Sequence, residues 1–439
     1  MYKTLKRFHT HIQLAVIRKM NKLNNKNSRE LTEHFFRNEY GKIVAVISKY
    51  IGSQNINTAE DIVQETLLKA VEHWQHNGIP KNPSAWLYTT AKNKTLNHLK
   101  KNKTHLDYLQ STDKRKAEIL EIEFSEEIIN DEQLRIMFCC CQPNISENTQ
   151  ISLILKILCG FSITEISNAF LTSTETINKR LVRGRKELRD SNLNIKSVEF
   201  VNKNLDTLLK TIFLLFNEGY SPTQKEQITN NDLCLEAIRL TTILTNSSIV
   251  ENKSNAYSLL ALMYLNIARF DARIDSINSV IELEKQDRKL WNQTYINQGI
   301  HFLNIAVEKS KPSKYLILAT ISANYCIAKN YAETNWNEIL ELYNKLIQIE
   351  NSPLIQLNKT IVLSKVSGYT KAIEELLYLE KKSEIGKNHL FHSTISEFYK
   401  NEKLTTKAID SLKTAIKLSK NNRDIQFLEK KLNLLVPIS

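Results

Sequence analysis

Glycine and proline are scarce in this 439-residue chain, at 9 and 7. So few chain-turning residues exclude an architecture of many short strands, and the long Leu/Ile/Lys/Glu/Asn-rich runs between them read as helices. No stretch approaches the roughly 18–20 uninterrupted apolar residues of a membrane span. The longest apolar run in the first 28 residues is Leu14–Ile17, too short for a signal peptide. Met20 opens a more polar lead-in and is an alternative start. Six cysteines (Cys139, Cys140, Cys141, Cys159, Cys234 and Cys326) contain no C-x-x-C pair. Their spacing fits neither a disulfide framework nor a zinc site, and reduced, mostly buried cytoplasmic thiols are expected. There is no H-E-x-x-H, no phosphate-binding glycine loop and no nucleophile elbow, so neither catalysis, a cofactor nor a metal is expected. His389-x-x-His392 reads as two helix-surface residues. Asn217–Tyr220 reads as a helix end with Gly219 as its left-handed cap.

What the chain does have is positive charge, with 60 Lys+Arg against 47 Asp+Glu and a formal net charge of +13. That balance favours an anionic partner such as nucleic acid. The length calls for two or three domains.

One stretch, Ala59–Trp74, is sharply two-faced at helical spacing. Ala59, Ile62, Val63, Thr66, Leu67, Ala70, Val71 and Trp74 share one side. Asp61, Gln64, Glu65, Leu68 and Glu72 share the other, an acidic stripe with a leucine at its centre. An apolar centre in a charged rim suits a docking face; a surface helix with one stray Leu is the plain alternative. A helix over about 30–50 precedes it, ended by Gly52-Ser53, and Asn57 or Thr58 can cap its start.

After the breakers Gly78–Pro83, a helix is expected from Ser84 to Lys101, with Pro83 where a helix start tolerates it. Trp86, Thr90, Asn93, Asn97, Lys100 and Lys101 line one side; Ala85, Tyr88, Leu96 and Leu99 make the packing side. A ring, amides and lysines on one stripe suit nucleic acid: stacking, base edges and phosphates. Core packing of Trp86 with solvated lysines is the alternative. Residues 102–130 are charge-dense and read as a flexible linker with room for one loose helix.

From Asp131 an apolar patch builds, and a strongly apolar helix runs from Thr149 to Leu158, closed by Gly160. Ser162-Ile163-Thr164-Glu165 is a capping box opening a short helix to Phe170. Ser173 caps a further helix to about Arg189. Two helices joined by so short a turn read as a helix-turn-helix. The second would bury Ile177, Leu181, Gly184 and Leu188. It would present Glu175, Lys179, Val182, Arg183 and Lys186, with Asn178 and Arg180 at the margins. Six basic residues between Lys179 and Arg189 suit the major groove and its phosphates.

In this order, Asp61–Leu67, Ala85–Asn93 and Phe161–Arg189 resemble regions 2 and 4 of bacterial sigma factors, and more narrowly the extracytoplasmic-function (ECF) group, over roughly Glu33–Arg189. Leu67 stands where Phe is usual, and Leu171-Thr172 where Gly plus an apolar residue is common. The resemblance implies an all-α protein acting by binding, without catalysis. Asp61, Gln64, Glu65 and Leu68 would bind the clamp helices of the largest subunits of RNA polymerase core. Trp86, Tyr88, Thr90, Lys92, Asn93, Asn97, Lys100 and Lys101 would meet the −10 promoter DNA. Ser173, Thr174, Glu175, Asn178, Lys179, Arg180, Arg183 and Lys186 would meet the −35 DNA.

The expected organisation is a basic arm at 1–28, region 2 at 29–101, the linker at 102–130, region 4 at 131–197 and a helical extension at 198–439. Helices are expected there at 231–245, 254–269, 272–283, 287–309, 313–329, 335–349, 353–366, 370–382, 388–400 and 404–420. Ala372-Ile373-x-x-Leu376 and Ala408-Ile409-x-x-Leu412 lie 36 residues apart, near the tetratricopeptide (TPR) period. Stacked pairs would offer a concave face to a regulatory protein or peptide. The motifs Asp232–Leu240, Gln286-Asp287-Arg288-x-x-Trp291 and Ser352-Pro353-x-x-x-Leu357-Asn358 resemble an ECF subgroup with such an extension, which implies that it regulates activity. A helix-turn-helix regulator with a helical sensor is the competing reading. It leaves the paired helices of 59–101 without a purpose, and a TPR scaffold with a basic arm leaves the caps unexplained.

Overall fold

A computed structural model describes residues 26–109, 122–170, 172–190, 198–220, 230–273, 281–309, 312–419 and 422–435. Among them every regular element is helical, as the scarcity of turn-formers predicts. The basic arm before residue 26 and the middle of the expected linker lie outside the described residues. Two compact units divide the chain. The first comprises residues 1–211 with 247–249; the second comprises 212–246 and 250–439.

The first unit is built on α1 (Lys26–Ile51). Its residues Ile43, Val44, Ala45, Val46 and Ile47 are all fully buried. A helix apolar all round has to sit inside, and α1 packs against α2 (Ile56–Asn77), α3 (Pro83–Leu109) and α4 (Glu126–Cys140). Gly52, at φ 88°, ends α1 in a backbone region open to glycine. α2 begins at Ile56 without a side-chain cap, earlier than the expected Asn57 or Thr58. Pro83 opens α3, and Asn82 Oδ1 accepts from the Ala85 N–H at 3.1 Å. Within the expected linker at 102–130, α3 continues to Leu109 and α4 begins at Glu126. A charge-dense run without Gly or Pro extends a helix at little cost in propensity.

The same unit holds α5 (Glu147–Ile157), α6 (Ile163–Ala169) and α7 (Thr174–Asp190). α1 meets this half at close quarters. A Cβ on Gly41 would stand 1.8 Å from the Leu158 carbonyl oxygen, so only glycine lets the backbones approach this far. Beside it, Arg37 bonds Glu165 at 2.7 Å and lies over the Phe161 ring.

The second unit takes in the last part of α8 (Val198–Tyr220), then α9 (Asn230–Asn246), α10 (Ser254–Ile267) and the one-turn α11 (Phe270–Arg273). Most of the helix read for 272–283 lies outside the described residues; at its end Leu283–Lys285 is a single 3-10 turn. Gly219 is not a left-handed cap either, since α8 runs through it to Tyr220. There follow α12 (Gln293–Lys309), α13 (Lys314–Ile327), α14 (Trp336–Ile349), α15 (Pro353–Ser367), α16 (Tyr369–Lys382), α17 (His389–Asn401), α18 (Thr405–Leu418) and α19 (Asn422–Asn433). From α13 on, each helix packs on the next. The residues 36 apart in sequence are equivalent in packing: Ala372 and Ala408, like Leu376 and Leu412, are buried.

Candidate functional site

α2 has its two faces as its spacing predicts. Ala59, Ile62, Val63, Thr66, Ala70 and Trp74 are buried against the unit. Asp61, Gln64, Glu65, Leu68 and Glu72 are exposed, with Leu68 at 60%. Val71, expected inside, is 39% exposed and widens the apolar centre. Lys94 reaches across from α3 to Glu65 at 2.6 Å. That hydrogen bond and the ammonium charge hold the Glu65 carboxyl below its ordinary range.

α3 packs through Leu87, Ala91 and Thr95, all fully buried, whereas Ala85, expected on that side, is exposed. Asn93, Asn97, Lys100 and Lys101 are exposed; Thr90 and Lys92 are half-buried. Trp86 is half-buried too. Its ring stacks on His73 at 5.4 Å and meets the edge of Trp74 at 5.6 Å. Tyr88 turns inward. Its hydroxyl donates to Glu39 Oε2 at 2.6 Å and its ring stacks on Phe124 at 4.7 Å. Burial first, and then the Glu39 charge, push its hydroxyl far above the ordinary value, so it stays protonated. Tyr88 is thus set apart from the other α3 residues grouped with it.

The caps of α6 and α7 form as read. Ser162 Oγ accepts from the Glu165 N–H, and Glu165 accepts from the Ser162 N–H. Ser173 Oγ accepts from the Thr176 N–H at 3.1 Å. Each supplies an acceptor to an N–H that a helix start leaves unpaired. Ile177, Leu181 and Leu188 are buried, and Gly184 fits against Leu153 and Thr149. The opposite face exposes Ser173, Thr174, Glu175, Asn178, Lys179, Val182, Arg183 and Lys186. Lys179 and Glu175 pair at 2.7 Å, and Arg180 is half-buried.

Two residues escaped the face-by-face reading. Glu60, 3% exposed, accepts from the Tyr40 hydroxyl at 3.0 Å and from Arg185 Nη2 on α7. The signal was an acid on the apolar side of α2 and an arginine between Leu181 and Leu188, each too costly to bury unless the two meet.

His389 stands 3.6 Å from Asp424, and His392 Nε2 2.7 Å from the Gly386 carbonyl. No group of three or more His, Cys, Asp or Glu side chains among the described residues could hold a metal ion. No helix among them is long and apolar enough to cross a membrane.

Residues 35–105 match the family model for sigma-70 region 2, and residues 204–307 match a family of unknown function (DUF6596). The chain is also similar to an uncharacterized protein of Rhizobium meliloti (strain 1021), 30% identical over 327 residues, which cover 73% of this chain and 77% of that protein.

Proposed function

Because the chain belongs to the sigma-70 family, whose region 2 lies at residues 35–105, we propose that it is an ECF-type sigma factor with a built-in helical regulator. In this reading the α2 stripe docks on the clamp helices of RNA polymerase core. The Trp86–Lys101 face of α3 meets the −10 DNA. α7 enters the major groove at the −35 element, and the helices after residue 212 form a TPR-like array that governs activity in the cytoplasm.

The observation that carries the reading is Leu68, 60% exposed between Asp61, Gln64 and Glu65 on a helix whose other side is buried. Covering such a leucine contributes about 1–2 kcal/mol to a complex, and the carboxylates around it set register and partner. A helix-turn-helix regulator would use α7 alike but has no use for this second face.

Asp61→Lys with Glu65→Lys should weaken binding of the full chain to purified polymerase core at least about tenfold, with far-UV circular dichroism unchanged. Unaltered affinity would sink the docking assignment. Lys179→Ala with Arg183→Ala should abolish −35-dependent transcription, spare core binding and flatten the salt dependence of DNA binding.

A further inference from the structure

In the second unit Arg269 and Arg288 lie over the ring of Trp291, which is 3% exposed, and Arg273 is near enough to Arg269 to feel its charge. The Arg269 and Arg288 guanidinium carbons lie 5.3 and 4.4 Å from its ring centroid. The two are therefore at most about 10 Å apart, close enough to repel in a half-buried setting. Arg273 follows Arg269 by one helical turn and lies 3.8 Å over the Tyr220 ring. Among the described residues no carboxylate pairs with any of the three. Burial, and after it mutual repulsion with Arg269, lowers the proton affinity of both Arg273 and Arg288.

Part of this arrangement is structural. Arg288 Nη1 donates to the Tyr325 and Ala328 carbonyls at 2.8 and 2.6 Å, at the negative end of α13. Arg273 Nη1 donates to the Tyr220 carbonyl at 3.0 Å, at the end of α8. These bonds leave the rest over. Arg288 Nη2 and Trp291 Nε1 are buried with no hydrogen-bond partner among the described residues. Among the described residues the Arg269 guanidinium makes one hydrogen bond, from Nε to Gln286 Oε1 at 3.3 Å. Stacking on Trp291 gives it packing but no counter-charge. Buried donors and gathered cations without an acid among the described residues form an incomplete site.

We propose that this cluster binds a phosphoryl group, as free phosphate or as the monoester end of a small molecule. A dianion with several oxygens can take donors from three guanidinium forks and an indole N–H arriving from different directions. A carboxylate, planar and singly charged, engages one fork and leaves the others uncompensated.

The test uses the purified full chain and calorimetric titration at fixed ionic strength, with inorganic phosphate, glycerol phosphate and acetate as probes. Binding of either phosphate, with acetate at least about tenfold weaker, is the expected result. Tighter binding of the ester would identify an esterified metabolite as the source; equal or weaker binding would identify free phosphate. Arg269→Gln, which leaves both helix-end bonds in place, should weaken phosphate about tenfold, and Trp291→Phe, which keeps the ring but removes Nε1, should weaken it less. No phosphate binding by a folded chain, or equal binding by Arg269→Gln, overturns the proposal. The titration needs neither polymerase nor promoter, so its outcome is separate from that of the sigma-factor reading.

Discussion

Replacing Arg185 with alanine tests how the first unit is held together. Glu60 is 3% exposed and its carboxylate has two donors, Arg185 and the Tyr40 hydroxyl. The Arg185 side chain is itself 21% exposed. Removing one partner of a buried pair costs about 3–5 kcal/mol, because the other charge is left without compensation. Partial exposure on the arginine side puts the expected value near the lower end, about 3 kcal/mol. Tyr40 cannot make up the loss: burial first, and then the Glu60 charge, hold its hydroxyl protonated, and it already donates. Adding Glu60→Gln removes the stranded charge while keeping an acceptor for Tyr40, so the double variant should recover about 1.5 kcal/mol or more. Hydrogen exchange of the full chain reads this locally. Amides of α2 and α7 should exchange roughly 100-fold faster in Arg185→Ala, and those of α14 to α18 should not change. A change below about threefold, or a double variant no better than the single, would refute the account.

Gly41→Ala should destabilise α1 and α5 by about 2 kcal/mol or more in the same measurement, because the added carbon meets a backbone carbonyl at 1.8 Å. Gly184→Ala should cost less, since its nearest neighbours are the side-chain ends of Leu153 and Thr149 at 2.8 Å; the reverse order would contradict the packing. Lys431 lies 2.5 Å from Glu282 and 3.2 Å from Glu397. Burial raises both carboxyls, but Lys431 outweighs it and holds them below the ordinary 4.5, while the two carboxylates lift Lys431 above 10.5 against its own burial. The pair of acids therefore stabilises above about pH 4.5 and loses that contribution as pH falls through their folded values; the lysine's share persists to about pH 10.5 and goes above it. Lys431→Met should lower Tm at pH 7 and flatten its fall on acidification; a parallel, undiminished fall would count against the network. Burial pushes the Cys139 and Cys326 thiols up to about 11 and Cys141 up to about 12. A chromogenic disulfide at pH 8 should then titrate fewer than about one thiol per native chain and all six after unfolding.

The exposed stripe of α2 and the caps of α6 and α7 were legible because each is set within a few residues: helical spacing for the stripe, Ser and Glu at an offset of three for the caps. So were the starts of α13, α14, α15 and α17, marked by the caps Ser313, Asn335, Ser352 and Asn388. Tyr88, which helical spacing put on the packing side and the resemblance grouped with the −10 residues, is held inward by Glu39, 49 residues earlier, and by Phe124. Glu60 and Arg185, 125 residues apart, are visible only once α7 is folded onto α2. Long-range polar contacts have no period, and they are what the sequence pattern left out.

The meeting of α1 and α2 with the α5–α7 half acts as a calliper. Gly41 against Leu158, Arg37 against Glu165 and Glu60 against Arg185 fix the gap between α3 and α7 by protein packing, not by the length of chain between them. If those helices read the two promoter elements, DNA whose elements match the gap is read with the jaws shut. DNA with a longer spacer is read only after all three holds give way together. Occupancy would then fall in one step as base pairs are inserted, and the Arg185→Ala chain would accept the longer spacers that the intact one refuses.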